Sequence, residues 1–379
     1  MYAIAAIPLL IWTYLLIGRG AFWRVAAGSP PRHPAGAGRH VIVIMPARNE
    51  AQVIGASLAS LAEQTFDGVI DLIVVDDGST DGTAEAATHA ARAGGALARL
   101  RLIHGTAPPP GWTGKLWALA QGVAAASVAG ADYFLFTDAD IQHGPQSVAS
   151  LVATAEAQHR DLVSHMVKLS TAAAVERLLI PAFVFFFLKL YPPAWIAAPR
   201  DKHKLAAAAG GCILIRPQAL ARIGGLEAIR SRIIDDCALA RAVKDSGGGV
   251  WLELTRDTRS LRVYRTPAEI GAMISRSAFA QLDHSYLVLA ATVLGLFLTY
   301  LLPVALLFTA DPVLIGIGVA GLVLMSASYL PMVRFYRLSS LWSLCLPPIA
   351  LFYMGAVIHS AVQYARGSGG RWKGRVQDA

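Results

Sequence analysis

Two carboxylates, Asp138 and Asp140, stand two residues apart directly after an apolar run in YFLFTDAD (133–140). Oxygen-ligand pairs of this kind hold a hard divalent cation, and such a cation neutralises phosphate charge. An exposed acidic turn would carry the same letters. The strand-like run before it instead places both side chains at a strand end. Upstream, LIVVDDGSTDG (72–82) ends a second apolar run with Asp76 and Asp77. A carboxylate there can accept hydrogen bonds from a nucleotide base. Capping of the next helix by Ser79 and Thr80 is the plainer alternative.

Lys115 ends GWTGK (111–115), follows the prolines 108–110 and opens the helical pattern LWALAQGVAAA. A lysine at a helix N-terminus opposes the helix dipole. An anionic ligand such as a diphosphate relieves that, and the free N–H groups of the first turn favour the same ligand. The spacing is not that of a Walker motif. Gly210 and Gly211 in AAAAGGCILIRP (206–217) let the backbone approach a ligand closely, or form an ordinary tight turn. Asp235 and Asp236 begin the helical pattern DDCALARAVKD. The dipole alone would favour acids there. The chemical reading makes Asp236 a general base for an acceptor hydroxyl, with Asp235 beside it.

These groups need a scaffold. VIVIMP (41–46) reads as a buried strand, and 50–64 has helical spacing of Val53, Ile54, Leu58 and Leu61. The run at 72–76, the Ala-rich helix at 83–98 and the strand at 133–137 continue the alternation. Strand–helix–strand order predicts an α/β fold with a largely parallel sheet, whose ligands bind beyond the carboxyl ends of the strands. The acidic motifs fall at those ends.

Composition points to lipid for the remainder. Of 379 residues, 55% are hydrophobic and only 15% charged, against roughly 25% charged in soluble domains. The net charge of +8 has no zinc-finger spacing or Lys/Arg-rich block with it, so nucleic acid is not an expected partner. Cys212, Cys237 and Cys345 form neither a CxxC pair nor a disulfide framework, which fits a reducing compartment. The apolar run at 1–18 is expected to be a transmembrane helix, and 19–38 a basic, Pro/Gly-rich linker. Residues 39–283 form the predicted cytosolic catalytic domain. Within it, 178–195 (LLIPAFVFFFLKLYPPAW), interrupted by Pro181 and Lys189, suggests a helix lying in the membrane interface, or a buried core helix. Residues 284–363 hold further apolar runs, and 364–379 a basic tail. Both flanks of 341–362 are basic, so this segment is expected to be re-entrant around Pro347–Pro348. The charge pattern predicts a multi-pass protein of a bacterial-type inner membrane with the α/β domain on the cytoplasmic side.

Taken together, PARNE (46–50), VVDDGSTDG, TDAD and the later Asp-Asp resemble glycosyltransferase family 2, over roughly residues 41–276. GWTGKLWAL, AAAAGGCILIRP, IIDDCALAR and the multi-span tail look like its hopanoid-biosynthesis-associated members. The resemblance implies a GT-A fold and inverting, hexosyltransferase-type transfer from a nucleotide sugar to a lipid acceptor, a hopanoid or another polyisoprenoid-derived lipid. It implies that Pro46, Arg48, Glu50 and Asp77 line the base and ribose pocket, that Asp138 and Asp140 hold Mg2+ or Mn2+ on the diphosphate, and that Asp236 is the base. Processive relatives carry QxxRW; here MISRSAFAQL (273–282) keeps only Arg276, without the glutamine or tryptophan, which favours single addition. Two other readings stay open: a non-catalytic lipid-binding protein on the same fold, and a haloacid-dehalogenase-type phosphohydrolase. The second wants Thr or Val where Gln142 stands and has no use for DDGS.

Overall fold

A computed structural model describes residues 2–25, 28, 37–126, 130–367, 371–372 and 375–376. Half of the expected linker and half of the basic tail lie outside these described residues. The chain forms two units. A sheet unit comprises Ala26–Leu169, Trp195–Arg262 and Lys373–Ala379; a helical unit comprises Met1–Val25, Ser170–Ala194 and Val263–Trp372. Residues 170–194 and 263–283, which the sequence reading groups with the catalytic domain, thus cluster with the helices.

Among the described residues the main sheet of the sheet unit has eight strands: β1 His40–Ala47, β2 Val69–Asp76, β3 Leu100–His104, β4 Tyr133–Thr137, β5 Ile141–Gln142, β6 Leu162–Lys168, β7 Cys212–Ile215 and β8 Val250–Ser260. Their order is β3-β2-β1-β4-β7-β6-β8-β5. β1 and β4 are buried on both faces, which is why their sequences are unbroken apolar runs. The first four strands in this order are parallel, with Ala47 opposite Asp76 and Ile44 opposite Phe136. Residues 46–48, 76–77 and 138 therefore share one rim. β7 runs antiparallel to β4, pairing Cys212 with Thr137, so its starting end, Gly210–Gly211, meets the same rim. β5 runs antiparallel to β8, pairing Ile141 with Ser260. That edge brings the end of β8 to the second Asp of TDAD.

In the helical unit three helices are long and apolar enough to cross a membrane: Tyr286–Leu306, Pro312–Phe335 and Ser340–Ala365. They leave Leu287, Leu294, Val323, Leu341 and Leu351 more than half exposed, an apolar surface that suits lipid better than water. The apolar run at 1–18 forms the helix Tyr2–Ile17, shorter than these. Two expectations change here. Pro347 and Pro348 do not break the third run. They occupy the first turn of the α-helix Leu346–Ala365, where a missing N–H costs nothing, so the interruption on which a re-entrant path depended is absent. Pro181 and Lys189 do not interrupt 178–195 either, since Ala174–Leu190 is one helix.

That helix is a core element of its unit. Phe185 packs on Phe22 and Tyr329, Phe186 on Tyr300 and Tyr353, and the Tyr353 hydroxyl donates to the Leu179 carbonyl at 2.9 Å. Pro303 shows how the unit settles its backbone. It has no N–H for the carbonyl of Thr299, four residues back, and the buried Trp12 indole donates to that oxygen instead, at 3.0 Å.

Candidate active site

At the rim, one pocket is lined by Pro46, Lys115, Asp138, Gly210, Asp235 and Asp236 at its polar end. Leu116, Leu119, Ile213, Leu226 and Leu239 form its apolar wall. Lys115 sits in the first turn of the helix Gly114–Ala126. Its Nζ lies 2.9 Å from Asp138 Oδ1 and 3.5 Å from Asp235 Oδ2. Burial pulls the Lys115 pKa down, but the carboxylates of Asp138, Asp235 and Asp236 outweigh it and hold the amine above the ordinary lysine range. The dipole penalty that suggested an anionic ligand is thus met in part by these side chains.

Asp235 and Asp236 open the helix Asp235–Asp245. The Gly210 N–H donates to Asp236 Oδ2 at 2.8 Å and the Cys237 N–H to Oδ1 at 2.7 Å. Each oxygen keeps a second lone pair, so the carboxylate can still accept a proton. Burial, and after it the charge of Asp235, pushes the Asp236 pKa up to about 6. Gly210 leaves little room for a side chain: a Cβ there would come 3.2 Å from Asp236 Oδ2 and 3.3 Å from Lys115 Nζ. Gly211 instead packs towards Ile141, and its carbonyl accepts from Thr137 Oγ1 at 3.0 Å.

The motif around Asp77 forms an adjoining patch. Arg48 Nη1 donates to the Asp77 carbonyl and lies 3.7 Å from its Oδ2. Arg48 Nε is buried and has no hydrogen-bond partner among the described residues. Asp76 Oδ1 accepts from the Ser79 N–H at 3.0 Å, which fixes the turn. The expected caps differ from those found. The helix Thr83–Ala93 follows Gly82, and Asp81 rather than Ser79 or Thr80 accepts the Thr83 N–H. Ser79 Oγ accepts the Asn49 N–H instead, because Asn49 is held at φ 53° and turns its amide towards that loop.

Asp140 and Glu50 are joined by a residue that the sequence reading did not single out. Arg262 lies just beyond β8, with Nε 2.8 Å from Asp140 Oδ2 and Nη2 3.0 Å from Glu50 Oε1. A second unforeseen group braces TDAD from behind. The buried His143 ring lies 2.9 Å from Thr137 Oγ1 through Nε2 and 3.2 Å from Ser147 Oγ through Nδ1. Burial, and then His165, pushes the His143 pKa down to about 3, so the ring stays neutral. A lone histidine and a lone arginine carry no spacing signal. His143 stands three residues beyond the motif in the chain, and the β5–β8 pairing brings Arg262 to it. Arg276 is an exposed residue of the helix Pro267–Ala278 in the helical unit.

The donor set fits a divalent cation of a particular kind. Among the described residues no three His, Cys, Asp or Glu side chains form a protein-only metal cluster. Mg2+ and Mn2+ sites at phosphates use one or two carboxylates, the remaining ligands coming from water and the phosphate oxygens. Asp138 and Asp140 supply such a pair.

Residues 42–224 match the family model described as Glycosyl transferase family 2. The match covers β2 to β7 and most of β1 and stops short of Asp235, Asp236 and Arg262. No curated protein sequence matches the chain. Among solved structures, the mannosyltransferase PcManGT from Pyrobaculum calidifontis, in complex with GDP-Man and Mn2+, is 18% identical with a TM-score of 0.54, covering 96% of this chain and 97% of that one. Glucosyl-3-phosphoglycerate synthase from Mycobacterium tuberculosis, with Mn2+, UDP-glucose and phosphoglyceric acid, is 20% identical with a TM-score of 0.41, covering 68% and 87%. At 18% identity the likeness to the mannosyltransferase speaks for fold alone. The fold is GT-A, and within it residues 42–224 match glycosyl transferase family 2.

Proposed function

We propose that this chain is a membrane-bound, inverting glycosyltransferase that moves a hexose from a nucleotide-diphosphate donor to a hydroxyl of a lipid, a hopanoid or another polyisoprenoid-derived acceptor. The observation that carries the reading is the convergence of Lys115, Asp138, Asp235 and Asp236 on one pocket at the strand ends. Four charged side chains gathered there, with a backbone glycine kept open beside them, suit a diphosphate leaving group and an attacking hydroxyl. The apolar wall of the pocket and the apolar helices support an acceptor with a lipid body.

In this reading Arg48 and Asp77 form the wall of the base and ribose pocket, and the unsatisfied Arg48 Nε is a donor available to the nucleotide. Asp138 and Asp140 would hold Mg2+ or Mn2+, which when bound stabilises negative charge on the diphosphate. Lys115, permanently charged, stabilises the departing phosphate oxygens. Asp236 accepts the acceptor hydroxyl's proton as its oxygen attacks the anomeric carbon. Base catalysis of this kind contributes about 10²–10⁴-fold, and positioning of the two substrates contributes more. Asp235 holds Lys115 in place and keeps the pKa of Asp236 raised.

A panel of nucleotide sugars tests the reading. Purified full-length protein should gain thermal stability with at least one of them only when Mg2+ or Mn2+ is present. It should then transfer that sugar to a component of a bacterial lipid extract. Metal-independent binding, or binding without transfer to any lipid, would count against it; the latter would favour the non-catalytic lipid-binding alternative.

A further inference from the structure

The fork of Arg262 grips two residues of the rim at once. Its hydrogen bonds to Asp140 and Glu50 are short, and the sheet enforces them. Ser260 pairs with Ile141 across β5 and β8, and the Leu261 N–H donates to the Asp140 carbonyl at 2.7 Å. The guanidinium root is therefore fixed in register with TDAD. The Asp140 side chain is only 12% exposed, against 37% for Asp138. A cation approaching Asp140 must meet the guanidinium there. Both compete for Asp140 Oδ2, and two cations at hydrogen-bond range repel.

We propose that Arg262 is a built-in counter-cation that competes with the divalent metal for Asp140 and is released by the donor's diphosphate. The inference rests on the metal–diphosphate reading given above. An arginine fork matches phosphate oxygens as well as carboxylates. When the diphosphate arrives, it offers the guanidinium a new partner and the metal further ligands. Metal and diphosphate then each raise the affinity of the other, by the same factor. The metal alone binds weakly, which keeps the acidic rim from trapping cations without donor.

Mn2+ binding to the full-length protein in detergent, read by electron paramagnetic resonance of the free ion, tests this without turnover. The wild type should bind Mn2+ weakly, and about 10-fold tighter when UDP or GDP is added. Arg262→Gln should bind Mn2+ alone about 10-fold tighter than the wild type, a change of about 1.4 kcal/mol, and should gain less from the diphosphate. Arg262→Lys, which loses the fork but keeps a charge, should fall between the two; it provides the same test if the glutamine variant does not fold. Folded variants that bind Mn2+ alone no tighter than the wild type would overturn the inference, since Arg262 would then only position Asp140. If the wild type and both variants bind no Mn2+ with either diphosphate, the metal reading itself fails and takes this inference with it.

Discussion

Asp236 carries the sharpest consequence at the scale of single residues. Its carboxylate is held by two backbone N–H groups and lies near a second acid and a lysine. Asp236→Asn preserves the shape and removes the basic oxygen. Turnover should fall about 10²–10⁴-fold, while nucleotide-sugar binding, read by thermal protection, stays within a few-fold of wild type. Loss of both together would show that Asp236 shapes the site rather than taking the proton. The raised pKa also fixes the direction of the pH dependence. Below about 6 the carboxylate is protonated and cannot act as a base, so kcat/KM should climb through pH 6 and level off above it. Lys115 stays charged across that range and adds no alkaline limb. A profile that is flat between pH 5 and 8 would dissociate Asp236 from the rate.

Among the elements, the helix Gly114–Ala126 deserves the most direct test because it carries Lys115 on its first turn and leans on β1 and β2. Gly122 makes that approach possible. A Cβ there would sit 2.4 Å from Ile44 Cγ2, inside β1, and 3.3 Å from Val75 Cγ2, one residue from the end of β2. Neither neighbour is a flexible side-chain end. Gly122→Ala should therefore force the helix away from the sheet, against the usual gain of alanine over glycine in helices. Overpacking of this kind costs about 1–3 kcal/mol, measurable by thermal or denaturant unfolding. Activity should fall with it, because the same shift carries Lys115 away from Asp138. A variant as stable as wild type would mean that the helix has slack that the contacts do not show. Lys244 serves the opposite end of the helix that begins with Asp235 and Asp236. Its buried amine donates to the carbonyls of Trp195, Ile196 and Leu205 at 2.7–2.9 Å, tying that helix to the segment that leads to Gly210.

For the whole molecule, the prediction concerns the membrane. The three long apolar helices leave large side chains uncovered, and an alkaline carbonate wash removes proteins held only by surface charge. The full-length chain should stay in the membrane pellet after that wash and need detergent for extraction. Release by carbonate would show that the exposed apolar faces are covered by something other than lipid.

The sequence by itself determined the chemistry on offer and the positions of its carriers along the chain. TDAD, the Asp-Asp pair, GWTGK and the double glycine each combine a functional residue type with a local break in structure, and periodicity places them at strand ends or helix starts. Long apolar runs needed nothing further to be recognised as helices suited to lipid. Tertiary structure decided what those residues touch. The antiparallel placement of β7 and of β5 turns the starting end of one strand and the finishing end of another towards the rim, and no local pattern encodes a register between strands more than 50 residues apart. That is why Gly210–Gly211 lies beside the end of β4 and why Arg262 reaches the second aspartate. The same limit applied to the prolines. Pro347 and Pro348 read as a break in a linear scan, but a proline in a first helical turn starts a helix as readily as it ends one, and only the fold shows which turn it occupies.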